Sequence, residues 1–179
     1  PPTRQPRWGG KRDAPPGIRG RTSESGHLAS ELEADVAVAV AAIDLAGRRC
    51  AEGTASGHDS AAHHLSRAYN VIEQMALRVA RVFENNVDDE RGWHTELIRR
   101  LSIRIEGVRP PLFTDELRQP LQELRAFRHV FVHAYDLTID PEKLGLILKY
   151  AHVVRERMPG LVSAFVAAVA AEQGLARSR

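Results

Sequence analysis

The chain has 179 residues, 43% of them hydrophobic and 6% aromatic, with a formal net charge of +2. That length and apolar content suit one domain with a packed core, and the abundance of Ala, Leu, Val, Arg and Glu favours helix. The longest apolar runs, Val36–Ile43 and Ala164–Ala171, fall far short of the ~20 residues a membrane helix needs, so no membrane partner is expected.

Charge is unevenly placed. Residues 1–22 carry six basic side chains against Asp13 alone, leaving 19 basic and 22 acidic residues in the remainder. The body is therefore mildly acidic, which argues against a broad nucleic-acid footprint but not against a local cationic site. Residues 1–26 are rich in Pro, Gly, Arg and Ser and are read as a disordered basic tail. Two roles compete for it, a binding arm for RNA or a partner, and an extension without a role; the second is preferred. No apolar stretch follows its charges, so it is not a secretory signal. The single cysteine, Cys50, fits a reducing cytoplasm and is read as a small semi-buried apolar residue.

The ordered unit is read as residues 27–173, with a short tail at 174–179. A first helix spans 28–49, with Leu28, Leu32, Val36, Ala39, Val40 and Ile43 at helical spacing. After a loop containing Gly53, Ser56 and Gly57, Asp59 or Ser60 is expected to cap a second helix reaching Glu84. A shorter helix covers about 92–104 and buries Trp93, Leu97, Ile98 and Leu101. Gly107-Val108-Arg109-Pro110-Pro111 then forces irregular chain. Thr114 is placed to cap a fourth helix, and Pro120 to kink or restart it. Asp140 caps the next, with Pro141 at its first position. Pro159-Gly160 is expected to kink or split that last helix. No segment reads as a strand, so the fold class is all-α: a compact up-and-down helical bundle of four main helices plus a short one.

The fourth helix carries Arg128-His129-Val130-Phe131-Val132-His133-Ala134-Tyr135. A guanidinium stays charged at every accessible pH and can grip a phosphate bidentately, while an imidazole exchanges a proton near neutrality. Together they suit metal-free phosphodiester cleavage. On a helix, Leu124, Phe127, Phe131 and Ala134 form the core stripe, Arg128 and Tyr135 share a flank, and His129 and His133 lie on the far side. Arg128 and His133 diverge by about 140°. A single straight helix does not make them a pair; two copies packed across a twofold axis through this surface, or a local widening of the helix, would.

Arg128-x4-His133-Ala134-Tyr135 resembles the motif of the HEPN superfamily, in the form found in HepT toxins of HepT–MntA (HEPN–MNT) toxin–antitoxin modules. The likeness extends over about 58–157, through His64-x4-Tyr69-Asn70-x2-Glu73, Trp93-His94-x2-Leu97 and Gly107-Val108-Arg109-Pro110-Pro111. It implies an HEPN-like bundle, usually dimeric, and a cytoplasmic, metal-independent endoribonuclease toxin. It implies Arg128 and His133 as catalytic residues and Tyr135 as acceptor of AMP from an MntA-like minimal nucleotidyltransferase antitoxin. Where many HEPN sequences have Asn or Asp after the arginine, this chain has His129, which either assists or only fills the place. Glu73 is a candidate partner for Arg128, buried or in an exposed salt bridge. His63, His64 and His94 match no zinc spacing and there is no cysteine pair, so neither metal nor cofactor is expected. The alternative is a catalytically inactive HEPN-type module that binds a nucleotidyltransferase.

Overall fold

The computed structural model describes residues 18–84, 93–133 and 138–177. Five helices follow in order: α1 Ile18–Cys50, α2 Ala55–Phe83, α3 Trp93–Leu101, α4 Asp115–His133 and α5 Pro141–Arg177. The fold is all-α, as expected: four long helices and one short one around a single core. Among the described residues the only β feature is an isolated bridge between Ile105 and Arg109. No described helix is long and apolar enough to cross a membrane.

α2 is the central element, touching every other helix. Leu65, Tyr69, Ile72, Met75 and Val79 are buried along it, as are Ala61, Ala62, Ala68, Ala76 and Ala80. The alanines let α1 approach closely, and α1 answers with Leu28, Leu32, Val36, Ala39, Ile43 and Ala46 at steps of three and four. Each large aliphatic side chain buried here contributes about 1.5–3 kcal/mol.

The helix boundaries differ from the sequence reading at two places. α1 begins at Ile18 and not at 28, reaching back into the segment read as tail. α2 begins four residues before Asp59, and its cap is Thr54, whose Oγ1 accepts from the Gly57 amide at 3.0 Å. Gly53, at φ 65°, turns the chain out of α1 into that cap. Gly57 is fixed by the same corner: a Cβ there would lie 2.6 Å from the Arg49 carbonyl oxygen. A further point is α5, which is not split at Pro159-Gly160. Leu144, Leu148, Ala151, Val154, Met158, Val162, Phe165 and Val169 keep one buried stripe in register across it. Pro159 and Gly160 sit on the solvent side, where water can serve the carbonyl that loses its donor. Asp140 caps α5 as expected, its carboxylate accepting from the Glu142 amide at 2.9 Å.

The link from α3 to α4 belongs to the core. Leu112 and Phe113 are buried, and both amides donate to the Leu101 carbonyl, at 2.8 and 3.1 Å. Gly107, at φ 70°, closes the turn that returns Arg109 toward α2. Arg109 is 0% exposed. Its Nε donates to Glu84 at 2.9 Å, and its terminal nitrogens donate to the carbonyls of Ile103 and Arg100, each at 3.0 Å, and of Pro110 at 3.3 Å. Glu84, whose side chain is 5% exposed, also pairs with Arg100. This ion pair ties the end of α2 to the link between α3 and α4.

Candidate functional site

α4 delivers the two catalytic candidates to different surroundings. Arg128 is half-buried, and its Nε donates to Asn70 Oδ1 on α2 at 2.8 Å. Behind this contact lies a polar cluster. Tyr69 is buried, one turn before the buried carboxylate of Glu73. Burial, then the charge of Glu73, holds the Tyr69 hydroxyl protonated far above the usual tyrosine range, against a weaker opposite pull from Arg125 and Arg128. Glu73 is buried, 7% exposed. Tyr69, Asn70 and Glu73 of α2 thus back the Arg128 side of α4. Asn70 stood in the sequence motif, but no local signal marked it as the residue that holds the guanidinium.

His133 lies at the end of α4 and is exposed. Its Nδ1 is 2.8 Å from the His129 carbonyl oxygen. A carbonyl only accepts, so Nδ1 carries a proton, and in the neutral ring Nε2 presents its lone pair. His129 supplies that carbonyl and also lays its ring on His133, with centroids 4.5 Å apart and planes tilted by 39°. The side chain at the second polar position thus contacts the imidazole of His133. On the inner side, the Phe127 and Phe131 rings stack at 5.9 Å and pack against the core. On the outer side, Val130 and Val132 are 53% and 55% exposed beside the two histidines. Ala134 and Tyr135, and the side chains of Trp93 and His94, lie outside the described residues.

Among the described residues, no group of three or more His, Cys, Asp or Glu is gathered to hold a metal ion. His63 and His64 meet edge to face, with ring centroids 5.7 Å apart. His64 Nδ1 is buried without a hydrogen-bond partner. Burial first, then His63, Arg67 and Arg49, lowers its pKa from the ordinary 6.5. The unfolded chain then takes up this proton first, so stability drops as pH falls from 6.5 toward the lower folded value and is unaffected above that window. In melting curves at about pH 7.5 and about pH 5, His64→Gln should show a smaller acid loss than the parent. An identical loss in both would contradict this.

The arrangement offers a braced cation and an exposed, oriented base on opposite sides of one helix, with an apolar strip between them. A family model described as HepT-like protein matches residues 60–169, which run from the start of α2 through most of α5. No curated protein and no solved structure matches. The matched span is more than half of the chain and contains the whole Arg128–His133 segment with the α2 residues that back it, so the chain belongs to the HepT-like family, of the HEPN superfamily.

Proposed function

We propose that the protein is a metal-independent RNA endonuclease, the toxin of a HEPN–MNT toxin–antitoxin pair. HepT-like HEPN proteins are generally associated with ribonuclease activity and with nucleotidyltransferase partners, which supports the reading at the level of the family. The observation that carries it for this chain is His133, whose Nδ1 is tied to its own helix while Nε2 stays open.

In the proposed reaction, Nε2 of His133 takes the proton from a ribose 2′-hydroxyl. The 2′-oxygen bonds to the adjacent phosphorus and the bond from phosphorus to the 5′-oxygen breaks. The departing oxygen receives a proton from an imidazolium or from water, leaving a 2′,3′-cyclic phosphate and a 5′-hydroxyl. Arg128 holds the phosphate and offsets the charge that grows on it, and the Asn70 contact keeps the guanidinium pointed while it does so. Because Arg128 turns toward α2 and His133 toward solvent, the centre is assembled from two copies of the chain, with Val130 and Val132 in the seam. Tyr135, two residues beyond His133, is the proposed AMP acceptor; an added nucleotide would bring negative charge and bulk to the place of the RNA phosphate. The enzyme would act in the cytoplasm as the bundle of residues 27–173, with the basic N-terminal segment outside the catalytic unit.

Incubation of the purified protein with a labelled RNA in EDTA tests the proposal. Cleavage leaving cyclic phosphate ends is the expected result. Intact RNA, with a nucleotidyltransferase still bound, would instead identify an inactive partner-binding module.

A further inference from the structure

α2 presents a second group of hydrogen-bond donors on the side that meets Arg128. His63 and Arg67 are exposed and Asn70 is half-exposed, at spacings of four and three on one side of the helix. His63 falls within about 20° of the Asn70 direction, and Arg67 about 60° from it toward solvent. Among the described residues Arg67 has no carboxylate within salt-bridge distance, although most arginines of the bundle are paired. From Ala55 to Asn70 the only acidic side chain is Asp59. Formal charge over this stretch balances, Arg67 against Asp59, so what distinguishes the group is a guanidinium without a bound carboxylate on the same side of the helix as an exposed imidazole.

Its position follows from how α2 and α4 are joined. The Arg109–Glu84 pair holds the link that leads into α4 against the end of α2, and Arg128 meets Asn70 thirteen residues into α4 and thirteen back from the end of α2. The two helices are therefore antiparallel. His133, about 7.5 Å further along α4, comes level with the α2 turn that holds Arg67, and His63 lies one turn beyond.

We infer that His63 and Arg67 form a phosphate subsite for single-stranded RNA, one that takes the backbone next to the scissile phosphate and lays the strand along α2. The inference rests on the ribonuclease reading for its ligand. A guanidinium without a carboxylate partner and an exposed imidazole N–H are the donors a phosphodiester uses. The subsite supplies affinity and direction and takes no part in the proton transfers.

The test separates binding from cleavage. The probe for binding is an RNA eight-mer carrying 2′-deoxyribose throughout its central steps, titrated by fluorescence anisotropy across a salt series. Arg67→Ala should weaken binding severalfold and reduce the dependence of log K on log salt by about 0.7, the value for one phosphate contact on a single strand. Arg67→Ala with His63→Ala should weaken it further. Arg81→Ala, which removes an exposed cation at the far end of α2, should change neither quantity. For cleavage, Arg67→Ala should lower kcat/KM for an unmodified eight-mer and leave a dinucleotide, which has no second phosphate, unchanged. Unaltered eight-mer binding in Arg67→Ala, or equal weakening by Arg81→Ala, overturns the subsite. Equal loss on dinucleotide and eight-mer also overturns it, by placing Arg67 in the reaction itself. If the parent protein binds the eight-mer as described but cuts no RNA, the ribonuclease reading fails and the subsite stands.

Discussion

His133→Ala is expected to lower the rate of RNA cleavage by about 10²–10⁴-fold, the range for loss of a general acid–base, and Arg128→Ala by about 10²–10³-fold, the range for loss of one charge-stabilising donor. Both losses should appear in kcat. The double variant should be little worse than the single ones, because groups that act as one unit do not contribute independently. Arg128→Lys should also be strongly impaired: it keeps the charge but loses the planar fork, and with it the Nε that Asn70 holds at 2.8 Å. Neither alanine variant should unfold the protein. His133 is exposed, so its loss should leave stability within about 0.5 kcal/mol of the parent, whereas Arg128→Ala, which loses the bond to Asn70, should cost about 0.5–1.5 kcal/mol. Unimpaired cleavage by either alanine variant, measured with a fluorogenic RNA in EDTA, would remove these residues from the mechanism.

The largest effect on stability is expected at the other end of α2. Glu84→Ala leaves the fully buried Arg109 without its carboxylate, although three backbone carbonyls still accept from it. Breaking a buried ion pair from one side costs about 3–5 kcal/mol, a large part of the roughly 5–15 kcal/mol that holds a domain folded. Urea denaturation should show this as a lowered midpoint at constant slope. Glu84→Leu combined with Arg109→Met should be less damaging than Glu84→Ala alone, since no charge is then stranded in the interior. A cost below about 1 kcal/mol for Glu84→Ala would mean that the carbonyls alone satisfy Arg109.

How much of this was legible in the sequence depended on the range of the interaction concerned. Apolar spacing located all five helices, because the stripe of Leu28, Leu32, Val36 and Ala39 is a property of neighbouring turns. The Asp140-Pro141 start of α5 was readable for the same reason. Thr54 was missed as the α2 cap because the first residues of that helix, Ala55 to Gly57, are small and show no apolar stripe. Pro159 left kink and split both open because its local cost is visible in sequence, whereas the burial of Met158, Val162 and Phe165 that offsets it comes from packing against other helices. Arg109 read as part of a loop, and only the folded chain shows it buried against Glu84, 25 residues earlier. At the site, the angular divergence of Arg128 and His133 followed from helix geometry alone. The brace from Asn70 did not, since it joins residues 58 apart. Nor did the His129 carbonyl, because a backbone acceptor leaves no trace in side-chain identity.

The account's central claim is that Arg128 and His133 act together across two copies of the chain. Mixing purified Arg128→Ala and His133→Ala proteins, each inactive alone, tests it directly. Random reassembly into dimers puts one intact Arg128 opposite one intact His133 in half of the assemblies, at one of their two sites, so RNA cleavage should return to about a quarter of the parent rate. A mixture that stays inactive after verified subunit exchange, while the parent protein cuts the same RNA, would contradict the claim and place the whole reaction on a single chain.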